Sequence, residues 1–188
     1  MKFLLFANRR VLCVCLALLL PQALLADQTD PQLDDYFLRL KFTDSPREIR
    51  ELENLIWASW LAHPNPDVER LMSAATARMN SGAFSQALRI YSQLIESYPN
   101  FAEAWNKRAT LYYVLEDFAA SVADIEATLA LEPRHFGALS GLGLVYIQQG
   151  ELDKARDAFV KLLEVHPNST NAQQNLERIE NELRLNVI

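Results

Sequence analysis

The 188-residue chain carries 24 acidic and 18 basic side chains, a net charge of −6. That balance argues against binding driven by phosphate neutralisation and against electrostatic docking on anionic lipid, and suits solubility or a basic partner. Both cysteines, Cys13 and Cys15, lie near the N-terminus. The rest of the chain therefore has no disulfide, thiolate nucleophile or cysteine-ligated metal.

Residues 1–26 have the layout of a secretory signal peptide. Lys2, Arg9 and Arg10 form a positive start, Val11 to Leu20 is uninterruptedly apolar, and Ala23-Leu24-Leu25-Ala26 ends on small residues. Cleavage is expected after Ala26, with Ala23 as the secondary site. Retention as an anchor is the rival reading, but an apolar stretch of about 15 residues is short of the roughly 20 a spanning helix needs. Removing the segment takes three basic residues and no acid, leaving 15 basic against 24 acidic side chains, a net charge of −9.

Residues 27–66 read as a helical hairpin and linker. Asp30-Pro31 opens a helix with Leu33, Phe37 and Leu40 on one side. Ser45-Pro46 supplies an N-cap followed by proline at the first helical position. The helix after it places Ile49, Leu52, Ile56 and Trp60 at helical spacing. Trp57 and Trp60 fall about one period before Tyr91 and Leu94, so the hairpin is expected to be a degenerate repeat capping the N-terminal end. His63-Pro64-Asn65-Pro66 is the linker.

From residue 67 the pattern repeats. Pro99, Pro133 and Pro167 sit 34 residues apart and close blocks at 68–101, 102–135 and 136–169. The fourth place of each block is large (Leu71, Trp105, Leu139) and the eighth small (Ala75, Ala109, Gly143). The twentieth is small again (Ala87, Ser121, Ala155) and the twenty-fourth bulky (Tyr91, Ile125, Phe159). Small residues let two helices approach, and the bulky ones fill the space between them and the next block. Gly82 and Gly150 mark the internal turns, where Glu116 stands in the middle block. Residues 170–188 form a capping helix and tail, with Leu176, Ile179 and Leu183 on one face.

These three in-phase copies resemble the tetratricopeptide repeat family over about 102 residues. The resemblance implies an all-α, right-handed solenoid of three repeats between the N-terminal hairpin and the C-terminal capping helix. The stretch from Asn100 to Gly143 also resembles small exported repeat proteins of Gram-negative bacteria, which implies a periplasmic location. The family's concave face is lined by the first helix of each repeat. Here that face would present Met72 and Thr76, with Glu69 and Met79, from the first repeat. The second would add Glu103, Asn106, Lys107, Thr110 and Tyr113; the third Gly137, Ser140, Gly141, Leu144 and Ile147. The Lys and Asn of the family's carboxylate clamp would fall at Met72 and Thr76, so that clamp is expected to be absent.

Two irregularities stand out against the period. Gly137 and Gly141 lie four apart on one face of a helix, where each costs roughly 0.5–1 kcal/mol relative to Ala. They are expected to admit a ligand backbone or another helix. Arg108 occupies a place that is normally apolar, and Asp124 in the partner helix is its expected counter-charge. His63, His135 and His166 have no metal-ligand spacing, and no phosphate loop, nucleophile elbow or metalloprotease motif is present. No catalytic residue, metal or cofactor is expected. The function this implies is protein or peptide binding by an exported adaptor or assembly factor, with no role for nucleic acid and no stable membrane insertion after cleavage. The rivals are a self-associating envelope module, with the Trp-bearing hairpin pairing two copies, and an accessory subunit of an envelope enzyme.

Overall fold

The computed structural model describes residues 28–185. Among them are nine helices and no strand: α1 (Gln32–Phe42), α2 (Pro46–Leu61), α3 (Pro66–Asn80), α4 (Phe84–Ser97), α5 (Ala102–Val114), α6 (Phe118–Leu131), α7 (Phe136–Gln148), α8 (Leu152–Val165) and α9 (Thr170–Leu185). Helix starts follow local chemistry. The Ser45 hydroxyl accepts from the Glu48 amide, Asn65 from Asp67 and Asp117 from Ala120, and proline follows the cap at Pro46 and Pro66. The turns inside the repeats are left-handed at Gly82, Glu116 and Gly150, with φ of +77°, +59° and +71°. Each lets the last turn of the first helix close and the second helix begin.

The pairs α3/α4, α5/α6 and α7/α8 are the three repeats, stacked as a solenoid. The small eighth place has a direct cause in the third repeat. A Cβ on Gly143 would lie 2.5 Å from the Phe159 ring, so only glycine fits under that aromatic. In the second repeat the Ser121 hydroxyl donates to the Ala109 carbonyl at 2.9 Å, which ties the two small places together. Helix α9 covers the far end of the stack with Ala172 and Ile179 buried. Leu176 and Leu183 pack against the same core. A solenoid otherwise exposes an apolar face there.

The hairpin α1/α2 departs from the expected place. It does not extend the stack ahead of the first repeat. It doubles back, and its apolar side (Leu33, Phe37, Leu40, Leu52, Ile56, Trp60) forms one core with Phe136, Leu139, Phe159 and Leu162 of the third repeat. Along the way it contacts the three loops that close the repeats. Gln28 bonds the backbone at Asn100 and Ala102. Asp34 pairs with Arg134 at 2.6 Å. The Thr43 carbonyl accepts from Asn168 at 2.7 Å, and Glu53 shares a 2.8 Å bond with His166. The reversal is made by the proline-rich linker, whose His63 ring sits edge-on to Tyr98 and Phe101.

Candidate functional site: the concave face and its buried support

Helices α3, α5 and α7 lie side by side, and the sequence-predicted residues on them separate into two hollows and a support. Between α5 and α7 is a pocket of about 180 Å³. Asn106, Thr110, Tyr113, Gly137, Ser140, Gly141 and Leu144 line it, together with Ala109, Ser121 and Ile125. Its walls carry no formal charge. Met72, Thr76 and Lys107 line a second, more open cleft of about 650 Å³. Residues of α3, among them Glu69 and Ser73, and Ala58 and Leu61 of α2 with the following Ala62 also line that cleft. The hairpin therefore supplies one wall of the second hollow.

Glu103 belongs to neither hollow. Its side chain is fully buried, so it cannot meet a ligand directly. Its Oε2 accepts from the Asn106 amide and from the His135 ring, each at 3.0 Å. Its Oε1 lies 3.1 Å from the Lys107 ammonium, as an ion pair without hydrogen-bond alignment. Burial pushes the carboxyl upward, but the His135 hydrogen bond and the Lys107 charge outweigh it. The net result holds Glu103 below the ordinary carboxylate range. A carboxylate only accepts, so the Asn106 NH2 must face it. That fixes the amide orientation and leaves Oδ1 uncommitted, on a residue that lines the pocket.

His135 is fixed from four directions. Its Nδ1 accepts from the Ala138 amide at 3.1 Å and so caps α7. Nδ1 therefore carries no proton, and Nε2–H donates to Glu103. The Trp60 indole stacks on the ring at 4.0 Å and 10°, and Trp57 meets it edge-on at 5.6 Å. Trp57 also lies 5.4 Å beneath the Lys107 ammonium. The hairpin thus rests on the same cluster that orients Asn106. Neither tryptophan was among the expected site residues. Their signal in the sequence was two large aromatics three apart in the second helix of the hairpin, which gave their face and not their target.

The two glycines of α7 part company. A Cβ on Gly137 would lie 2.7 Å from Cη2 of Trp57, so the space it opens is filled by the chain's own indole. Of the two expectations for Gly137, a ligand backbone or another helix, the second describes this contact, since Trp57 belongs to α2. A Cβ on Gly141 would meet only Ile125 Cδ1, at 3.5 Å, an ordinary contact distance. Arg108 pairs with Asp124 as the sequence suggested. Two guanidinium nitrogens donate to the carboxylate at 2.7 and 2.8 Å, a third donates to Ser92 at 3.0 Å, and Trp105 and Tyr112 flank the cation. Arg108 is therefore committed to the fold and not to a ligand.

Among the described residues no cluster of His, Cys, Asp or Glu could hold a metal ion, and no helix is long and apolar enough to cross a membrane. A family model described as tetratricopeptide repeat matches residues 72–123 and 106–170. A TPR repeat-containing protein of Rhizobium etli is 31% identical over 152 residues, covering 81% of this chain and 74% of that one. The first TPR of Spaghetti (RPAP3) bound to the HSP90 peptide SRMEEVD has a TM-score of 0.60 at 23% identity, over 62% of this chain and 93% of that one. The Yersinia enterocolitica type III secretion chaperone SycD, in complex with a peptide of the translocator YopD, has a TM-score of 0.60 at 15% identity, over 63% and 95%. At these identities the structural likeness speaks for the fold alone.

Proposed function

The chain belongs to the tetratricopeptide repeat family, and we propose that it is a non-catalytic adaptor or assembly factor, exported to the cell envelope, that binds a protein or peptide segment on its concave face. The observation that carries this reading is the uncharged pocket between α5 and α7, lined by seven residues from the first helices of two repeats that the sequence assigns to one face. Structural relatives of the same fold hold peptides, an HSP90 peptide in one and a YopD peptide in another. Two Glu–His pairs resemble acid–base dyads: Glu103 with His135 is wholly buried, out of a substrate's reach, and Glu53 with His166 ties the hairpin to the loop after α8 with the imidazole buried, away from both hollows. Export rests on the pattern of residues 1–26, which lie outside the described residues. Pairing of two copies through the hairpin tryptophans is disfavoured, because Trp60 is buried within its own chain.

The test has two parts. Fractionation of cells expressing the tagged full chain should place it in the periplasm, shortened by about 26 residues. A cytoplasmic product of full mass would overturn export. Affinity capture from envelope extract should retain a protein that a Thr110→Arg variant of equal melting temperature does not. A partner held equally by both forms would remove the concave face from the proposal.

A further inference from the structure

Gly137 and Gly141 are successive turns of one helix face. At Gly137 the missing Cβ makes room for an aromatic ring, and the chain seats its own Trp57 there. At Gly141 the same absence opens onto the pocket, which Ile125, Tyr113 and Leu144 line. An apolar cavity of about 150 Å³ holds a benzene ring, and this pocket is about 180 Å³. A charged side chain would be desolvated there with no counter-ion, because none of the lining residues is charged. The rim is polar: Asn106, whose NH2 is committed to Glu103, offers Oδ1 as an acceptor, and Ser140 offers a hydroxyl.

We infer that the Gly141 pocket is a socket for one aromatic or large aliphatic side chain of an extended partner peptide, laid beside the chain's own Trp57 and held at its backbone by Asn106. This rests on the peptide-binding reading above and specifies what that site selects. The seat at Gly137 shows that this face of α7 accepts a ring. The neutrality of the walls selects an uncharged occupant. Glu103 and His135 act as positioning residues, since they orient Asn106 without touching the ligand.

The experiment uses the purified protein and a phage-displayed library of random dodecapeptides. Selected peptides should share one fixed position occupied by Phe, Tyr, Leu, Ile or Met. Alanine at that position in a synthetic consensus peptide should weaken binding by roughly tenfold or more, the loss expected for an unburied large apolar side chain. Gly141→Leu should weaken it comparably, with the melting temperature unchanged or raised. Gly141→Ala, whose Cβ has room, should shift preference from aromatic to smaller aliphatic residues. Val160→Ser, at an exposed position of α8 that lines neither hollow, should leave affinity within about twofold, the range of a surface change away from the contact. A consensus without an apolar position, or full affinity in folded Gly141→Leu with no shift in Gly141→Ala, overturns the socket and leaves peptide binding standing. Failure to select any peptide overturns both.

Discussion

Within a repeat, paired helices meet at short range in sequence: Phe159 closes over Gly143, Ser121 bonds Ala109, and Arg108 clasps Asp124. The hairpin meets the solenoid through residues up to 125 positions apart, in pairs such as Asp34 with Arg134, Glu53 with His166 and Thr43 with Asn168. The repeats are held mainly by the fit of small against large residues, which the 34-residue period enforces three times. The hairpin is held by an apolar face plus a polar and aromatic cluster that occurs once. The teaching of this contrast is energetic. A repeat interface can lose one contact and keep its neighbours' geometry, whereas the hairpin seam concentrates its specificity on Trp60, His135 and Glu103.

The sharpest way to break that contrast is Trp60→Ala. It removes a buried ring that packs against Phe37, Trp57, His135 and Phe136, and truncation of such a side chain costs about 3–5 kcal/mol. Hydrogen exchange should then rise in residues 32–61 while the second repeat stays protected. A uniform rise across all helices would show that hairpin and repeats form one cooperative unit. Asp124→Asn tests the repeat side. It leaves a largely buried guanidinium without its charge partner, a loss of about 3 kcal/mol in urea denaturation, at the lower end for broken buried pairs. Unchanged stability would mean that Ser92, Trp105 and Tyr112 suffice to hold Arg108.

Acid titration probes the cluster between the two regions. Glu103 has a lowered folded-state pKa, so its stabilising contribution is complete above its unfolded value, near pH 4.5, and is lost as pH falls through the folded value. Stability should therefore decline on acidification below about pH 4.5, the ordinary carboxylate value from which Glu103 is lowered, with a change in tryptophan fluorescence as the Trp60–His135 stack loosens. Glu103→Gln should flatten that decline relative to the parent protein. An identical pH profile would assign the acid sensitivity to other carboxylates. The smallest effect is expected at the turn of the second repeat. Glu116 has φ of +59° where the first and third repeats use glycine. Glu116→Gly should stabilise by about 1 kcal/mol or less, the strain relieved minus the added chain entropy. A loss of stability would reveal a role for the Glu116 side chain.

Much of the fold was legible because its constraints are local. A period of 34 places the closing prolines, the left-handed turns at Gly82, Glu116 and Gly150, and the small-over-large pairs, and it gave Arg108 its partner one helix away. The face bearing Asn106, Thr110, Tyr113, Ser140, Gly141 and Leu144 was legible through the family resemblance, which implies that the first helices line the concave side, with helical spacing putting Gly137 and Gly141 on one face. Glu103 shared that spacing and still proved buried, because burial depends on what lies above a residue as well as on its own helix.

The sequence by itself determined the repeats and their internal packing, and through the family resemblance it pointed to the side of α5 and α7 that we propose meets a ligand. Only the tertiary structure decided where the hairpin goes. Its amphipathic helices announce an apolar face but not the surface that face will cover. That choice is made by contacts 50 to 125 residues apart, which leave no periodic trace in the chain. It is this choice that filled the space at Gly137 with Trp57, buried Glu103 beneath His135 and left Gly141 facing an open pocket.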